Sequence, residues 1–394
     1  METQVVVRQR FGRFFVFSVA AVLAAGTSGC VGGSGAGPGT ADAQQRPTTL
    51  TVAAAGDLLV HEALSEQAAA DAAAAGRDGH DFGPILAQVA PVLQAADLAV
   101  CHLEQPLAAP EGPFTGWPLF SAPPDLADAA AAAGFDTCST ASNHALDTGM
   151  EGVVRTLDNL DRVGLAHAGT ARSQAEADTP TIIDVRGVPV AHLSYTYSFN
   201  GIPLPADAPW AANEIDPEQV LAEARRARQA GAEIVIASLH WGTEYQVAAD
   251  SGQLALAEQL LASPDLDLII GHHAHVVQPM ERIGHRWVAY GLGNLTARFP
   301  DGSPEQTQDS IIPAFTFTEI APGQWQASQV DVTPAWIEYT PAARVVNLPA
   351  AVADPDLDQA RRDRYERARQ RIQDQVNQRG ADAAHLRFTA PANP

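Results

Sequence analysis

Three things are scarce in this 394-residue chain, and each scarcity narrows what it can be. Basic residues are few: 24 Lys plus Arg stand against 46 Asp plus Glu, a formal net charge of -22. A nucleic-acid backbone calls for cationic side chains, so nucleic acid is not expected as a partner, and an acidic substrate must be held by a metal ion or a local basic patch rather than by the overall field. Cysteine is rare, at 3 residues. Cys101 and Cys138 fall inside candidate core strands, which argues against either as a metal ligand; two buried free thiols are expected, with a bridge as the alternative, because bridge geometry is demanding. The apolar stretch over residues 14–25 is too short to span a bilayer, and there is no internal repeat.

What that short stretch does resemble is a processing signal. Arg8, Arg10 and Arg13 precede it, and Thr27-Ser28-Gly29-Cys30 follows. Small residues before a cysteine resemble a bacterial lipobox, so residues 1–29 are expected to be a lipoprotein-type signal peptide, with Cys30 lipidated at the mature N-terminus. Thr27 stands where an aliphatic residue is commoner, which keeps an ordinary secretory signal or a single anchor helix as alternatives. Residues 30–48, rich in Gly, Ala, Ser and Gln, are a flexible tether. The expected location is extracytoplasmic, lipid-anchored at the cell membrane.

The folded body is expected over residues 49–345, with a C-terminal helix and tail over 346–394. Strand and helix signals alternate from residue 50 to 270, the pattern of an α/β domain with mostly parallel strands. Alanine-rich stretches near 62–76, 125–133, 216–231 and 250–262 supply helices. Residues 181–185 and 188–195 flank Arg186-Gly187, a hairpin signal, so the sheets are mixed. After His275 short strands take over as an antiparallel closing section. Residues 354–379 are expected as a charged, weakly amphipathic helix, packed on the outside or partly free.

Several apolar runs end in a polar tip. Residues 50–56 lead to Asp57, 97–102 to Glu104, 135–142 to Asn143 and His144, 233–239 to His240, and 266–270 to Gly271-His272-His273-Ala274-His275. Each residue alone has a bland reading as a strand end, a solvated loop residue or a satisfied core histidine. Together, at the carboxyl ends of parallel strands, they line one crevice. Asp57, Glu104, Asn143, His240, His273 and His275 offer oxygen and nitrogen donors and no sulfur, which suits one or two divalent ions such as Mn, Fe or Zn. His144 stands beside them as a candidate acid, with Asp147 as its partner; the bland reading of Asp147 is a cap for the helix starting near Gly149. Trp117, Tyr195, Tyr197, Trp210, Trp241 and Tyr245 are candidates to line a groove, although core packing is the commoner fate of such rings.

The motifs Ala55-Gly56-Asp57, Leu103-Glu104-Gln105-Pro106, Ser142 to Gly149 (Ser-Asn-His-Ala-Leu-Asp-Thr-Gly), His240-Trp241-Gly242-Thr243-Glu244-Tyr245, Gly271 to Gln278 and Tyr290-Gly291-Leu292-Gly293-Asn294 resemble the CapA family of bacterial capsule synthesis proteins, within the calcineurin-like metallophosphoesterase superfamily. The resemblance covers about residues 50–300. It implies a layered α-β-β-α metallophosphoesterase-like sandwich with mixed sheets. It places Asp57, Glu104, Asn143, His240, His273 and His275 at metal positions and His144 at the catalytic one. The usual Asp-x-His is absent, since Leu59 stands two after Asp57, which leaves the first metal without an imidazole unless His61 curls back. His102 and Ser142 replace usual asparagines, and Ala274 a usual proline; His272 is expected as a neighbour of the site rather than a ligand.

The resemblance implies a part in poly-γ-glutamate capsule synthesis or export, with metal-dependent hydrolase or transferase chemistry on an anionic polymer or phosphoester and membrane capsule-synthesis subunits as partners. Two alternatives stand beside it: a phosphoesterase for another cell-envelope substrate, and a non-catalytic assembly subunit that keeps a degenerate metal site.

Overall fold

A computed structural model describes residues 5–7 and 46–390. In chain order the strands are β1 (Val5–Val7), β2 (Thr49–Leu58), β3 (Leu98–Leu103), β4 (Thr137–Ser139), β5 (Ala166–Ala168), β6 (Thr181–Val185), β7 (Val188–Thr196), β8 (Ile234–His240), β9 (Leu268–His272), β10 (Met280–Ile283), β11 (Arg286–Ala289), β12 (Asn294–Thr296), β13 (Asp309–Ala321), β14 (Gln324–Glu338), β15 (Arg344–Asn347) and β16 (Leu386–Phe388). The longer helices are α1 (Glu62–Ala74), α2 (Gly83–Leu86), α3 (Ala90–Gln94), α4 (Asp125–Ala133), α5 (Gly149–Val163), α6 (Gln174–Ala177), α7 (Pro217–Gln229), α8 (Ser251–Leu261), α9 (Leu348–Ala353) and α10 (Gln359–Val376).

Two mixed sheets form. One runs β1-β6-β7-β8-β9-β11-β10 and the other β15-β14-β13-β2-β3-β4-β5, with β12 beside β2 and β16 beside β14. Along β2, Leu50, Val52 and Ala54 point to an inter-sheet core shared with Val190, Ile234, Ile236, Leu268 and Ile270, while Ala53 and Ala55 point the other way. That period-two alternation lets one strand serve two cores. The second core packs Leu64, Leu86, Leu93, Leu126 and Leu157 of α1 to α5 on one outer face. The third packs Val220, Ala224, Ala257 and Leu260 of α7 and α8 on the other. The layer order is therefore α-β-β-α, as the family resemblance implies.

Local signals agree with the elements. β8 is buried at every position, as a parallel strand covered on both faces must be. Asp216 caps α7 just before Pro217, and Asp250 with Gln253 makes a capping box at α8. In β2 to β5, and again in β7 to β9, the strands run parallel, so their carboxyl ends collect at one rim of the sandwich.

Four expectations change. Cys101 and Cys138 are bridged, not free: they are direct register partners on β3 and β4 with a Cα–Cα separation of 4.4 Å, which brings both side chains to the same face of adjacent strands. The strand expected over 135–142 stops at Ser139, because the chain leaves the ladder to carry Asn143 to the rim. Where short antiparallel strands were expected, β13 and β14 form a long antiparallel hairpin that extends the sheet beside β2, and β11 and β12 pair in parallel with β9 and β2. α10 is not an outer ornament, for Tyr365, Ala368, Ile372 and Val376 enter the inter-sheet core.

The expected signal peptide and the tether lie outside the described residues, except for β1, paired in parallel with β6, and residues 46–48. Among the described residues no helix is long and apolar enough to cross a membrane.

Candidate metal centre

The rim collects its residues from both sheets. Gly56 lets the end of β2 approach the chain before β12 so closely that a Cβ there would collide with the Gly293 carbonyl, which instead accepts the Asp57 amide at 2.9 Å. Asp57, buried, accepts from His272 Nδ1 at 2.9 Å and from the His273 amide at 3.2 Å, with His275 Nδ1 at 3.6 Å. Burial alone would push the Asp57 carboxyl up; the bonds from His272 and His275 outweigh it and hold the group well below the usual carboxylate range.

Glu104 follows β3 and is 0% exposed. Both its carboxylate oxygens are buried with no hydrogen-bond partner among the described residues, although His275 Nε2 lies 3.7 Å and His240 Nε2 3.9 Å away. Burial pushes this carboxyl well above its ordinary range despite the pull of His275, and the nearby charge of Asp57 adds to the rise. A buried carboxylate left bare costs several kcal/mol, roughly, unless something cationic answers it.

The nitrogen side comes from the ends of β8 and β9. His240 Nε2 faces Asn143 Oδ1 at 2.9 Å, and its Nδ1 faces His102 Nε2 at 2.9 Å; His102 Nδ1 in turn meets Ser139 Oγ at 2.8 Å. The His102 ring stacks on His272 at 4.1 Å between centroids. Burial and neighbouring imidazoles hold His102 and His240 well below the ordinary histidine range. Burial, with the nearby charge of His275, lowers His273 to about 3, whereas the Glu104 and Asp57 carboxylates overcome burial and raise His275 to about 9. His273 and His275 adopt φ of 86° and 56°, the left-handed region that non-glycine residues avoid, so this turn stores strain at the site. Asn294 holds His275 from behind: its Oδ1 lies 2.9 Å from Nδ1 while its Nδ2 donates to the His275 carbonyl at 3.0 Å.

His144 sits on the adjoining turn. Its Nδ1 is 2.7 Å from Asp147 Oδ2, which also accepts the Phe120 amide at 2.7 Å. Asp147 is not the cap of α5; that position is Thr148, whose side chain makes no cap bond.

The six expected donors Asp57, Glu104, Asn143, His240, His273 and His275 thus converge, with His144 and Asp147 beside them. His272, expected as a neighbour only, lies inside the cluster. His61 does not curl back: its Nδ1 accepts the Arg298 amide at 3.2 Å and its ring packs against Phe120 and Phe299. The imidazole beside Asp57 comes from His272, backed by His102. Sequence reasoning passed over His102, Glu244 and Asn294 as site members. His102 carried a readable signal, an imidazole within an otherwise apolar strand, and Asn294 ends a motif already singled out.

Donor atoms of Asp57, Glu104 and His275 lie within 4.8 Å of one another, as do those of Asp57, His102 and His272 and those of Glu244, His273 and His275. Besides Glu104, His272 Nε2 and His273 Nδ1 are buried without partners among the described residues. Bare carboxylate oxygens and bare imidazole nitrogens gathered in one buried cluster fit a divalent ion of the Mn, Fe or Zn type.

Such a layered α-β-β-α protein with a mixed carboxylate and imidazole centre at its rim defines the class. Residues 51–298 match the family model described as bacterial capsule synthesis protein PGA_cap, and the chain belongs to that family. It is 29% identical over 210 residues to the PGA biosynthesis protein CapA of Bacillus subtilis (strain 168), covering 53% of this chain and 53% of the relative. It is 25% identical over 270 residues to the capsule biosynthesis protein CapA of Bacillus anthracis, covering 67% and 62%. The chain thus matches between half and two thirds of those relatives' own length. Among solved structures, the calcineurin-like phosphoesterase YfkN from Bacillus subtilis aligns with a TM-score of 0.40 at 15% identity, over 73% of this chain and 90% of that one. The layer order rests on the two sheets and three cores themselves.

Proposed function

We propose that this chain is a membrane-tethered, extracytoplasmic protein of poly-γ-glutamate capsule synthesis or export whose rim centre holds one or two divalent ions for hydrolysis or group transfer. The observation that carries the metal is the Glu104 carboxylate, sealed from water with neither oxygen hydrogen-bonded among the described residues while imidazoles of His240 and His275 face it. Membership of the capsule synthesis family supports the biological role. The tether and the lipidated Cys30 rest on Thr27-Ser28-Gly29-Cys30, and the membrane capsule-synthesis partners rest on the family alone.

Asp57, Glu104, His240, His273 and His275 would hold the metal, with Asn143 at its edge. When bound, a divalent ion there supplies Lewis-acid activation of water and neutralises an anionic substrate. The chain's own residues do the rest. Asp147 fixes the His144 ring through Nδ1, which leaves Nε2 to hand a proton to a leaving oxygen. Asn143 is steered from both ends, by His240 at Oδ1 and by Asn200, which accepts from Nδ2 at 3.3 Å.

Elemental analysis of the purified protein tests the centre: Glu104→Gln and His240→Ala are expected to lower bound metal per chain. Turnover of phosphoesters and glutamyl polymers by the metal-loaded protein tests the chemistry. Activity unchanged in His144→Ala and His240→Ala would reduce the centre to a structural role in assembly. Membrane fractionation of a Cys30→Ser variant tests the anchor, which is expected to release the protein.

A further inference from the structure

Five large apolar side chains are exposed among the described residues, and four of them gather in one place, while the fifth, Ile320, sits near the end of β13 and does not line the cavity described below. Trp117 is 79% exposed, Leu119 51%, Tyr245 44% and Tyr197 41%. All four stand at the metal centre. Trp117, Leu119 and Tyr245 line a cavity of about 350 Å³ that also takes in His144 and His275. The Tyr197 ring lies 4.5 Å from that of His273, and Phe120 and Phe299 extend the apolar wall at 4.7 Å from His144 and 5.1 Å from His275. Exposed apolar surface gathered in one place marks a contact, whereas single exposed side chains do not.

The charge around this mouth points the same way. All 24 Lys plus Arg residues of the sequence are arginine, and none of those described lines the cavity, so the basic group there is His275 of the centre itself. The nearby Arg298 is taken up by the Phe299 carbonyl, Asp301 and the face of Tyr339. Glu244, by contrast, does line it. A run of glutamate carboxylates would therefore meet apolar rings and a negative charge, with only the metal centre to answer it. The volume, at the low end of the roughly 300–1,000 Å³ of ligand pockets, suits one small group.

Resting on the metal-centre reading above, we infer that the site takes esters in which one anionic group is joined to an uncharged apolar group, and that Trp117, Leu119 and Tyr245 form the subsite for that group. The anionic group goes to the centre and the apolar one to the collar.

The test is calorimetric titration of the full chain, with and without Mn, using the uncleavable probes methylphosphonate, 1-naphthylphosphonate, octylphosphonate and tetra-γ-glutamate. The apolar probes are expected to bind at least about tenfold tighter than methylphosphonate, the size of one ring's buried contact, and Trp117→Ala or Tyr245→Ala to reduce that ratio by about as much. The tighter of the naphthyl and octyl probes identifies a flat or a chain-like group. A ratio that stays the same in both variants overturns the proposal, as does tetra-γ-glutamate binding tightest. Loss of binding to phosphatidylglycerol vesicles in Trp117→Ala with the ratio intact would make the collar a membrane contact and equally overturn it. Absence of metal-dependent turnover on any ester would count against the catalytic reading alone, since the binding ratio is read without chemistry.

Discussion

Asp147 spends one carboxylate oxygen on two donors, His144 Nδ1 and the Phe120 amide, and keeps the other buried without a hydrogen-bond partner among the described residues. Such a group orients an imidazole rather than binding substrate. Asp147→Asn is expected to lower kcat by about tenfold to a hundredfold, and His144→Ala by about a hundredfold or more, with metal content unchanged by elemental analysis. A fall in bound metal in step with activity would instead make the pair part of the metal cradle. Gly56 sets a second constraint at this scale, since any side chain there must push the Gly293 carbonyl away from the Asp57 amide. Gly56→Ala is expected to cost about 1–3 kcal/mol in urea unfolding, the usual penalty for overpacking.

Among the elements, α10 is tied to β13 by a buried ion pair. Arg371 reaches Asp309 at the start of β13 through two bonds of 2.7 Å, and the Asp309 side chain is 0% exposed. Arg371→Ala leaves that carboxylate buried without its cation and is expected to cost about 3–5 kcal/mol in thermal or urea unfolding. That pairing was unreadable beforehand, because the two residues lie 62 positions apart in the chain. What was legible were elements with a local cause. α4 occupies 125–133 as its alanine run predicts, and β6 with β7 makes the hairpin announced by Arg186-Gly187. Asp57, Glu104 and His240 were legible because each closes an apolar run. The turn of His272 toward Asp57 was not legible, since nothing along the chain tells which of three neighbouring imidazoles faces that carboxylate, and the cysteine bridge was misjudged since strand register is a tertiary property.

Across the whole molecule, buried polar ties join the two sheets. His192 on β7 bonds Thr137 of β4 at 3.0 Å and Ser238 of β8 at 2.9 Å, and burial lowers its pKa to about 3. The folded-state value lies below the unfolded one of about 6.5, so the unfolded chain takes the proton first. Its contribution is complete above about pH 6.5 and is lost as pH falls toward 3. Between pH 7.5 and 5.0 the wild type is expected to lose about 2 kcal/mol more stability than His192→Gln in urea unfolding. Equal losses would show that His192 does not stay neutral. The Cys101–Cys138 bridge closes a loop of 37 positions, and its replacement by a serine pair is expected to cost about 2–5 kcal/mol.

The donors are divided between the sheets: Asp57, Glu104 and Asn143 hang from the strands around β2, whereas His240, His273 and His275 hang from β8 and β9. An ion gripped from both sides would act as a clasp across the open end of the sandwich, so that neither sheet could twist without the other. Cation loading should then slow amide exchange at the tips of β2, β3, β8 and β9 together, and a chelator should release all four at once.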